Sequence, residues 1–193
     1  MKSDPSEPAI IWLRALLLLV MAWWTLKMGL AGGSYCLLDY VNLPFHEAGH
    51  VLLRWGGRTI HFMGGTIGQL AVPVVLGVYF LVKTRTPFGS SFCLFWLGES
   101  MVNVSIYMAD ARALQLPLLG GGEHDWTELF YTFGLLGETS VERISTSTHA
   151  LGVVLMLAGL AWGLFFVLPI DSRERLRETV TDRLPWLGRA LES

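Results

Sequence analysis

Five apolar runs constrain the fold of this chain more than any other feature of its sequence. They are Ile10–Leu30, Leu37–Trp55, Leu70–Val82, Ser91 to about Leu114, and Thr148–Leu168. A helix needs about 20 apolar residues to cross a bilayer, and several of the runs approach that length. Of the 193 residues, 52% are hydrophobic and only 16% are charged, whereas soluble domains carry roughly 25% charged residues. We therefore expect an all-α integral membrane protein with about five transmembrane helices, surrounded by the lipid bilayer.

Two of the apolar segments leave the topology open. Ile10–Leu30 is interpreted as a retained span, because it is too long for the core of a typical signal peptide, which is the alternative. Trp126–Leu136 is short for a crossing and can instead be re-entrant or interfacial. If it does cross, the spans number six, and both termini lie on the same side of the membrane.

Charge divides the chain into a polar head (residues 1–9), a membrane-embedded domain (10–169) and a charged tail (170–193). In the tail, leucines recur at helical spacing among charged residues, which predicts an amphipathic helix on the membrane surface. Several arginines follow the last span, so we expect the C-terminus to lie in the cytoplasm. The net charge of -2 gives no basic surface for nucleic acid.

Glycine marks two irregular stretches between the apolar runs. Gly56–Gly68 holds five glycines with β-branched residues among them, which predicts a small Gly-rich β-hairpin. In Leu114–Trp126, Pro117 and three consecutive glycines end any helix. Irregular backbone persists at membrane depth only beside protein or a water-filled cavity, so both stretches mark places where a site is expected.

The second apolar run contains the motif HEAGH, residues 46–50. Ionisable residues inside an apolar segment are costly and are usually functional. Residues four apart share one face of a helix, so His46 and His50 can bind the same ion, and imidazole nitrogen is a common zinc ligand. Glu47 is the residue type that takes a proton from a metal-bound water. The motif therefore predicts Zn²⁺ as cofactor, with His46 and His50 as ligands and Glu47 as the catalytic base.

A catalytic zinc with two histidines needs a third protein ligand and an open position. The candidates, in order of preference, are Asp125, Asp110, His124 and Glu99. Asp125 comes first because it follows the helix-breaking Pro117 and the glycines, then precedes a segment that can start a helix. Asp110 is the closest rival, although Arg112 nearby favours an interfacial position. Glu99 would suit a thermolysin-like site, but the acid expected four residues later is Asn103.

The order of these features resembles the site-2 protease family of intramembrane zinc proteases. The resemblance covers about Leu37 to Leu136: an HExxH motif in a membrane helix, a Gly-rich hairpin, and a later membrane helix that leads into an aspartate. In that family an aspartate after a helix break is the third zinc ligand, and Asp125 in "LPLLGGGEHDW" occupies a similar place. The resemblance implies a metalloendopeptidase that hydrolyses a peptide bond within or beside a transmembrane segment of a membrane-protein substrate.

A protease of this kind must also hold its substrate. The predicted hairpin, with Gly64 and Gly65, could bind an extended substrate as an added strand. Asn103 is a further candidate for substrate binding, and a hydrogen bond between helices is its alternative role. Two other functions fit the same motif: a non-catalytic, membrane-embedded metal-binding or regulatory homologue, and a metal transporter. The transporter ranks last, since the sequence has no repeated halves.

Overall fold

A computed structural model describes residues 7–31, 36–117 and 123–168 of the chain, and these residues fold into helices. The elements are α1 (Glu7–Ala31), α2 (Leu37–Leu53), a 3-10 turn (Arg54–Gly56), α3 (Arg58–Val82), α4 (Pro87–Ala109), α5 (Asp125–Thr132) and α6 (Glu138–Phe165). No strand occurs within these ranges. The predicted tail helix and the C-terminus lie outside the described residues.

Four of the helices, α1, α3, α4 and α6, are long and apolar enough to cross a membrane. The 25 residues of α1 rise roughly 37 Å, which exceeds the roughly 30 Å of a bilayer's hydrocarbon core. These helices indicate an all-helical, membrane-embedded protein. By contrast, the eight residues of α5 rise only about 12 Å. Helix α5 is therefore too short to cross, which removes the basis for a sixth span at Trp126–Leu136.

Helix α2, which carries the HEAGH motif, begins in the interior of the protein. Cys36 precedes its first residue, and the Cys36 thiol lies 3.3 Å from the Glu99 carboxylate. Glu99 is the thirteenth of the 23 residues of α4, so α2 starts beside the middle of that helix. With 17 residues, α2 is shorter than the four candidate spans, and a fifth crossing stays a prediction.

The predicted β-hairpin at Gly56–Gly68 is wrong, because α3 begins at Arg58 and continues through this segment. Within Gly56–Gly68 only Gly57 has a positive φ, of 87°, and it lies in the turn between α2 and α3. Gly64 and Gly68 are four residues apart on one face of α3, and both lie against the backbone of α2. Small residues at this spacing let two membrane helices approach closely. Gly64 and Gly68 thus serve helix packing rather than a turn.

Helix α4 is the centre of the bundle. In the apolar 18-residue stretch of α4 that could cross the membrane, 56% of the residues are buried, against 17% to 22% in the corresponding stretches of the other three candidate spans. Glycines again set the contact between α4 and α6, since Gly98 and Gly152 face each other without side chains between them. The buried core around this contact includes Met21, Met28, Phe95, Val102 and Met156. Because α4 packs against α2, α3 and α6, it holds the other helices in register.

We expect Gly152→Ala to destabilise the bundle. An added Cβ would lie 2.7 Å from the Gly98 carbonyl oxygen and 2.9 Å from the Val102 amide nitrogen, and backbone atoms cannot rotate away. Overpacking of this kind typically costs 1–3 kcal/mol, so the free energy of unfolding in an SDS titration should fall by about that amount. Gly137→Ala is the control, since its φ is -67° and an added Cβ would meet nothing within 4 Å. Equal stability of the two variants would contradict this packing.

Candidate metal centre

The two histidines of HEAGH converge with Asp125 on one spot. His46 Nε2 lies 3.0 Å from Asp125 Oδ2, and His50 Nε2 lies 3.1 Å from the same oxygen. The two imidazole rings are 4.8 Å apart between centroids. Only 14% of each histidine side chain and 7% of the aspartate side chain are exposed. Three side chains of metal-ligand type, from α2 and α5, therefore share a nearly buried position.

The far nitrogen of each imidazole ring is held by an oxygen atom. His50 Nδ1 lies 2.7 Å from the carbonyl oxygen of His61 on α3. A carbonyl oxygen can only accept, so His50 Nδ1 carries a proton, and the neutral ring then has its Nε2 lone pair available for a metal ion. His46 Nδ1 lies 3.4 Å from Oε1 of Gln69. Metal-binding histidines usually donate their second ring N–H to an oxygen in this way.

This arrangement of lone pairs fits a bound cation. Two imidazole lone pairs and a carboxylate repel each other unless a proton or a metal ion lies between them. Gly65 leaves the space, since a Cβ at this position would lie within 2.5 Å of Nε2 of both histidines. Zinc accepts two imidazole nitrogens and one carboxylate oxygen, which is the donor set present here. The residues therefore fit Zn²⁺.

Asp125 reaches the histidines because contacts with α4 and α3 hold α5 in place. Its backbone N–H donates to the hydroxyl oxygen of Tyr107 on α4, at 3.2 Å. On the outer side, Arg58 at the start of α3 pairs with Glu123 and Glu128, at 3.2 and 2.8 Å. Burial raises the pKa of Asp125, but its hydrogen bonds and charge interactions with the two histidines together have the larger, opposite effect. The pKa of Asp125 therefore lies below its ordinary value. Asp125 is thus held as a carboxylate.

Glu47 differs from Asp125 in its surroundings. Its side chain is exposed, and within the described residues it has no hydrogen bond or ion pair. It is nevertheless close enough to His50 and Tyr107 for its charge to act on both. Glu47 is thus a carboxylate that lies near the histidines and is not tied to another group within the described residues.

The three rival ligands lie apart from the histidine pair. The Asp110 carboxylate accepts backbone N–H groups of Gln115 and Leu116, at 2.9 and 3.0 Å, and so caps the loop after α4. The His124 ring accepts the N–H of Thr127 as the cap of α5, and burial lowers its pKa. Glu99 is fully buried beside the start of α2. Within the described residues, Asp125 is the only one of the four candidates grouped with both histidines.

The predicted substrate-binding residues have other contacts. Gly64 lies against the backbone of Gly49 in the α2–α3 interface, and Gly65 lies against the histidine rings. Neither is in a strand, so the hypothesis that they bind substrate as an added strand is wrong. The Asn103 side chain donates to Asp39 and accepts from Gln69. It therefore joins three helices, which agrees with the alternative of a hydrogen bond between helices.

Sequence reasoning missed two residues of this region, Gln69 and Tyr107. Gln69 is a single amide inside an apolar helix, and it is 3% exposed. A polar residue in such a segment is by itself a signal of function, but Gln69 falls one residue before the predicted third run. Tyr107 follows Asn103 by four residues, so the two share a face of α4.

Comparison of the chain with protein-family models, curated proteins and solved structures finds no match.

We expect Asp125→Ala to lose zinc, because the variant removes one of the three converging ligand groups. The purified protein in detergent, loaded with zinc and freed of excess ion, should fall from about one bound zinc to a small fraction, as in His46→Ala. Asp110→Ala is the control, since its carboxylate caps the loop after α4 and lies 3.6 Å from His124 Nε2, apart from His46 and His50. Full occupancy in Asp125→Ala together with loss in Asp110→Ala would reverse the assignment.

We also expect Gly65→Ala to weaken zinc binding without any change in a ligand residue. The new methyl group would occupy the space beside both Nε2 atoms. Gly77→Ala is the control on the same helix, because its Cβ would meet only the Cys93 Cβ at 3.2 Å. Competition with a chromophoric chelator measures both affinities. Equal zinc affinity in the two variants would show that the space beside the rings is not used.

Proposed function

We propose that this protein is an intramembrane zinc metalloendopeptidase that hydrolyses a peptide bond within or beside a transmembrane segment of a membrane-protein substrate. The observation that carries the proposal is the convergence of His46 Nε2, His50 Nε2 and the Asp125 carboxylate beside Gly65. A free glutamate follows His46 directly in the chain. The proposal also rests on the resemblance of HEAGH and its surroundings to the site-2 protease family.

In this proposal His46, His50 and Asp125 hold the zinc ion. When bound, zinc supplies a Lewis acid and lowers the pKa of water toward 7. The hydrogen bonds from the far ring nitrogens keep both Nε2 lone pairs directed at the ion. Three protein ligands are the usual number for a catalytic zinc site, since the fourth position is then left to water.

Glu47 is the proposed general base. Its carboxylate takes a proton from the attacking water and later gives that proton to the leaving amine. This role requires a carboxylate that is free to exchange protons, and Glu47 is exposed and unpaired within the described residues. Asp125 cannot serve in its place, because it is buried and bonded to both histidines.

The position of the site along α3 gives it access to water. Gly65 lies seven residues after Arg58, at the start of α3, a distance of roughly 10 Å along the helix. Arg58, Glu123 and Glu128 form a charged group at that end. A charged group at a helix end is expected at the membrane surface, and in this proposal water would travel roughly 10 Å from there to the site. A substrate helix must unwind locally to expose its peptide bond, because the backbone of an intact helix is fully paired.

The experiment that tests the proposal is Glu47→Gln. The variant keeps the ligands and should bind zinc as the wild type does, while cleavage should fall by at least about 100-fold, since general base catalysis contributes 10²–10⁴-fold. Cleavage is measured in liposomes with single-span peptides that carry a fluorophore–quencher pair around a Gly/Pro-containing segment.

Persistent cleavage in the variant would refute Glu47 as the base. Zinc binding by a wild type that cleaves no peptide of the panel would favour the non-catalytic alternative, and zinc flux into the liposomes would favour the transporter.

A further inference from the structure

A chain of hydrogen bonds runs from the buried start of α2 to the ring of His46. Asn103 Nδ2 donates to Asp39 Oδ1, and Gln69 Nε2 donates to Asn103 Oδ1 at 2.9 Å. The other end of the Gln69 amide, Oε1, lies 3.4 Å from His46 Nδ1. The path connects α2 to α4, α4 to α3, and α3 back to α2. It therefore reaches a proposed zinc ligand from the side away from the zinc.

The direction of these bonds is fixed by groups that can only accept. The Asp39 carboxylate directs the NH₂ group of Asn103 toward itself, which leaves the Asn103 oxygen for Gln69. The carbonyl oxygen of Ser100 accepts from the same Gln69 Nε2, at 3.4 Å. Both anchors place the NH₂ group of Gln69 toward α4 and its oxygen toward His46. An oxygen at that position requires the proton of His46 to be on Nδ1.

We propose that Gln69 and Asn103 are positioning residues that fix the tautomer of His46, so that its Nε2 lone pair faces the metal position. This inference rests on the proposed zinc site. The two histidines are then held by different means: His50 by the backbone carbonyl of His61, and His46 by two amide side chains anchored at Asp39. No substitution of a side chain can remove the first anchor. The second depends on the side chains of Gln69, Asn103 and Asp39.

Asp39 is a firm anchor because the start of α2 holds it. The backbone N–H of Cys36 donates to Asp39 Oδ2, which satisfies one of the N–H groups left unpaired at the start of a helix. A carboxylate at this end also interacts favourably with the helix dipole. The neighbouring Glu99 accepts from Cys36 Sγ and from Asn42. Cys36, Asp39 and Glu99 thus lie together at the buried start of α2.

Asp39→Asn tests the inference with almost no change in shape. The oxygen of the new amide should stay on the Cys36 N–H, which can only donate, so its NH₂ group faces Asn103. Asn103 must then turn its oxygen toward residue 39, and Gln69 must present its NH₂ group to His46. His46 would keep its proton on Nε2 and lose the lone pair that faces the metal, or the chain of bonds would break. Gln69→Leu is the second variant, and it removes the acceptor outright.

The affinity for zinc alone is measured by chelator competition on the full chain in detergent. We expect both variants to bind zinc about 10–100-fold more weakly than the wild type, as is typical when the partner of a ligating histidine is lost. Ser90→Ala is the matched control. Ser90 Oγ donates to the Gly77 carbonyl oxygen at 3.0 Å, so the substitution removes another hydrogen bond between α3 and α4. This hydrogen bond lies on no path to His46. Its zinc affinity should equal that of the wild type.

A second readout follows the proton itself. In zinc-saturated protein with ¹⁵N-labelled histidine, the His46 Nδ1–H should exchange slowly with water in the wild type, because Gln69 Oε1 accepts it. Asp39→Asn and Gln69→Leu, also saturated with zinc, should exchange this proton faster, whereas Ser90→Ala should not, and general loosening of the fold would not produce that difference. The His46 signals are identified by their absence in His46→Asn.

The outcomes separate this inference from the proposed function. Wild-type zinc affinity in both Asp39→Asn and Gln69→Leu would overturn the positioning role and leave the zinc site intact. An equal loss in Ser90→Ala would also overturn it, because the effect would then reflect packing. A wild type that binds no zinc would instead overturn the proposed function, together with any role in positioning its ligand.

Discussion

The close approach of α2 to α3 is the interaction on which the candidate site depends. Gly49 on one helix and Gly64 and Gly68 on the other leave backbone against backbone. Each glycine inside a helix costs about 1 kcal/mol relative to alanine, and the contact between the two backbones offsets that cost. Since no side chain separates the helices, His50 reaches the His61 carbonyl and both rings lie over Gly65. A wider spacing would remove the carbonyl partner of His50.

The buried beginning of α2 explains the polar groups in the core. A helix that starts in an apolar interior leaves N–H groups that water cannot reach, and each unpaired group is costly. Asp39 accepts one of them. Asn42 adds a second set of bonds, since its oxygen accepts from Trp96 Nε1 at 2.7 Å and its nitrogen donates to Glu99 at 3.0 Å. Asp39, which accepts the Cys36 N–H at the start of α2, is thus also the group from which hydrogen bonds continue through Asn103 and Gln69 to His46.

Periodicity and motif predicted much of the fold, but not the meaning of the glycines. The long apolar runs correspond to helices, and Asp125 does lie beside the histidines. That it binds zinc stays a prediction. The prediction of a hairpin was wrong because a glycine in a single sequence is compatible both with a turn and with a close contact between helices. Gly57 has a positive φ, whereas Gly64 and Gly68 are helical and lie against α2, and both properties belong to the folded chain. Gln69 was missed for the same reason, since its role depends on partners more than 20 residues away.

Two carboxylates near the histidines are placed for different work. Asp125 is 5% exposed, its backbone is bonded to Tyr107, and its side chain contacts both rings. Glu47 is exposed and carries no such bonds within the described residues. A metal ligand must stay fixed while bonds to the ion form, whereas a base must release and regain a proton during each cycle. Asp125 is held at the end of a helix, whereas Glu47 is left free on the face of another. This difference is the physical reason to assign Asp125 to the metal and Glu47 to the proton transfer.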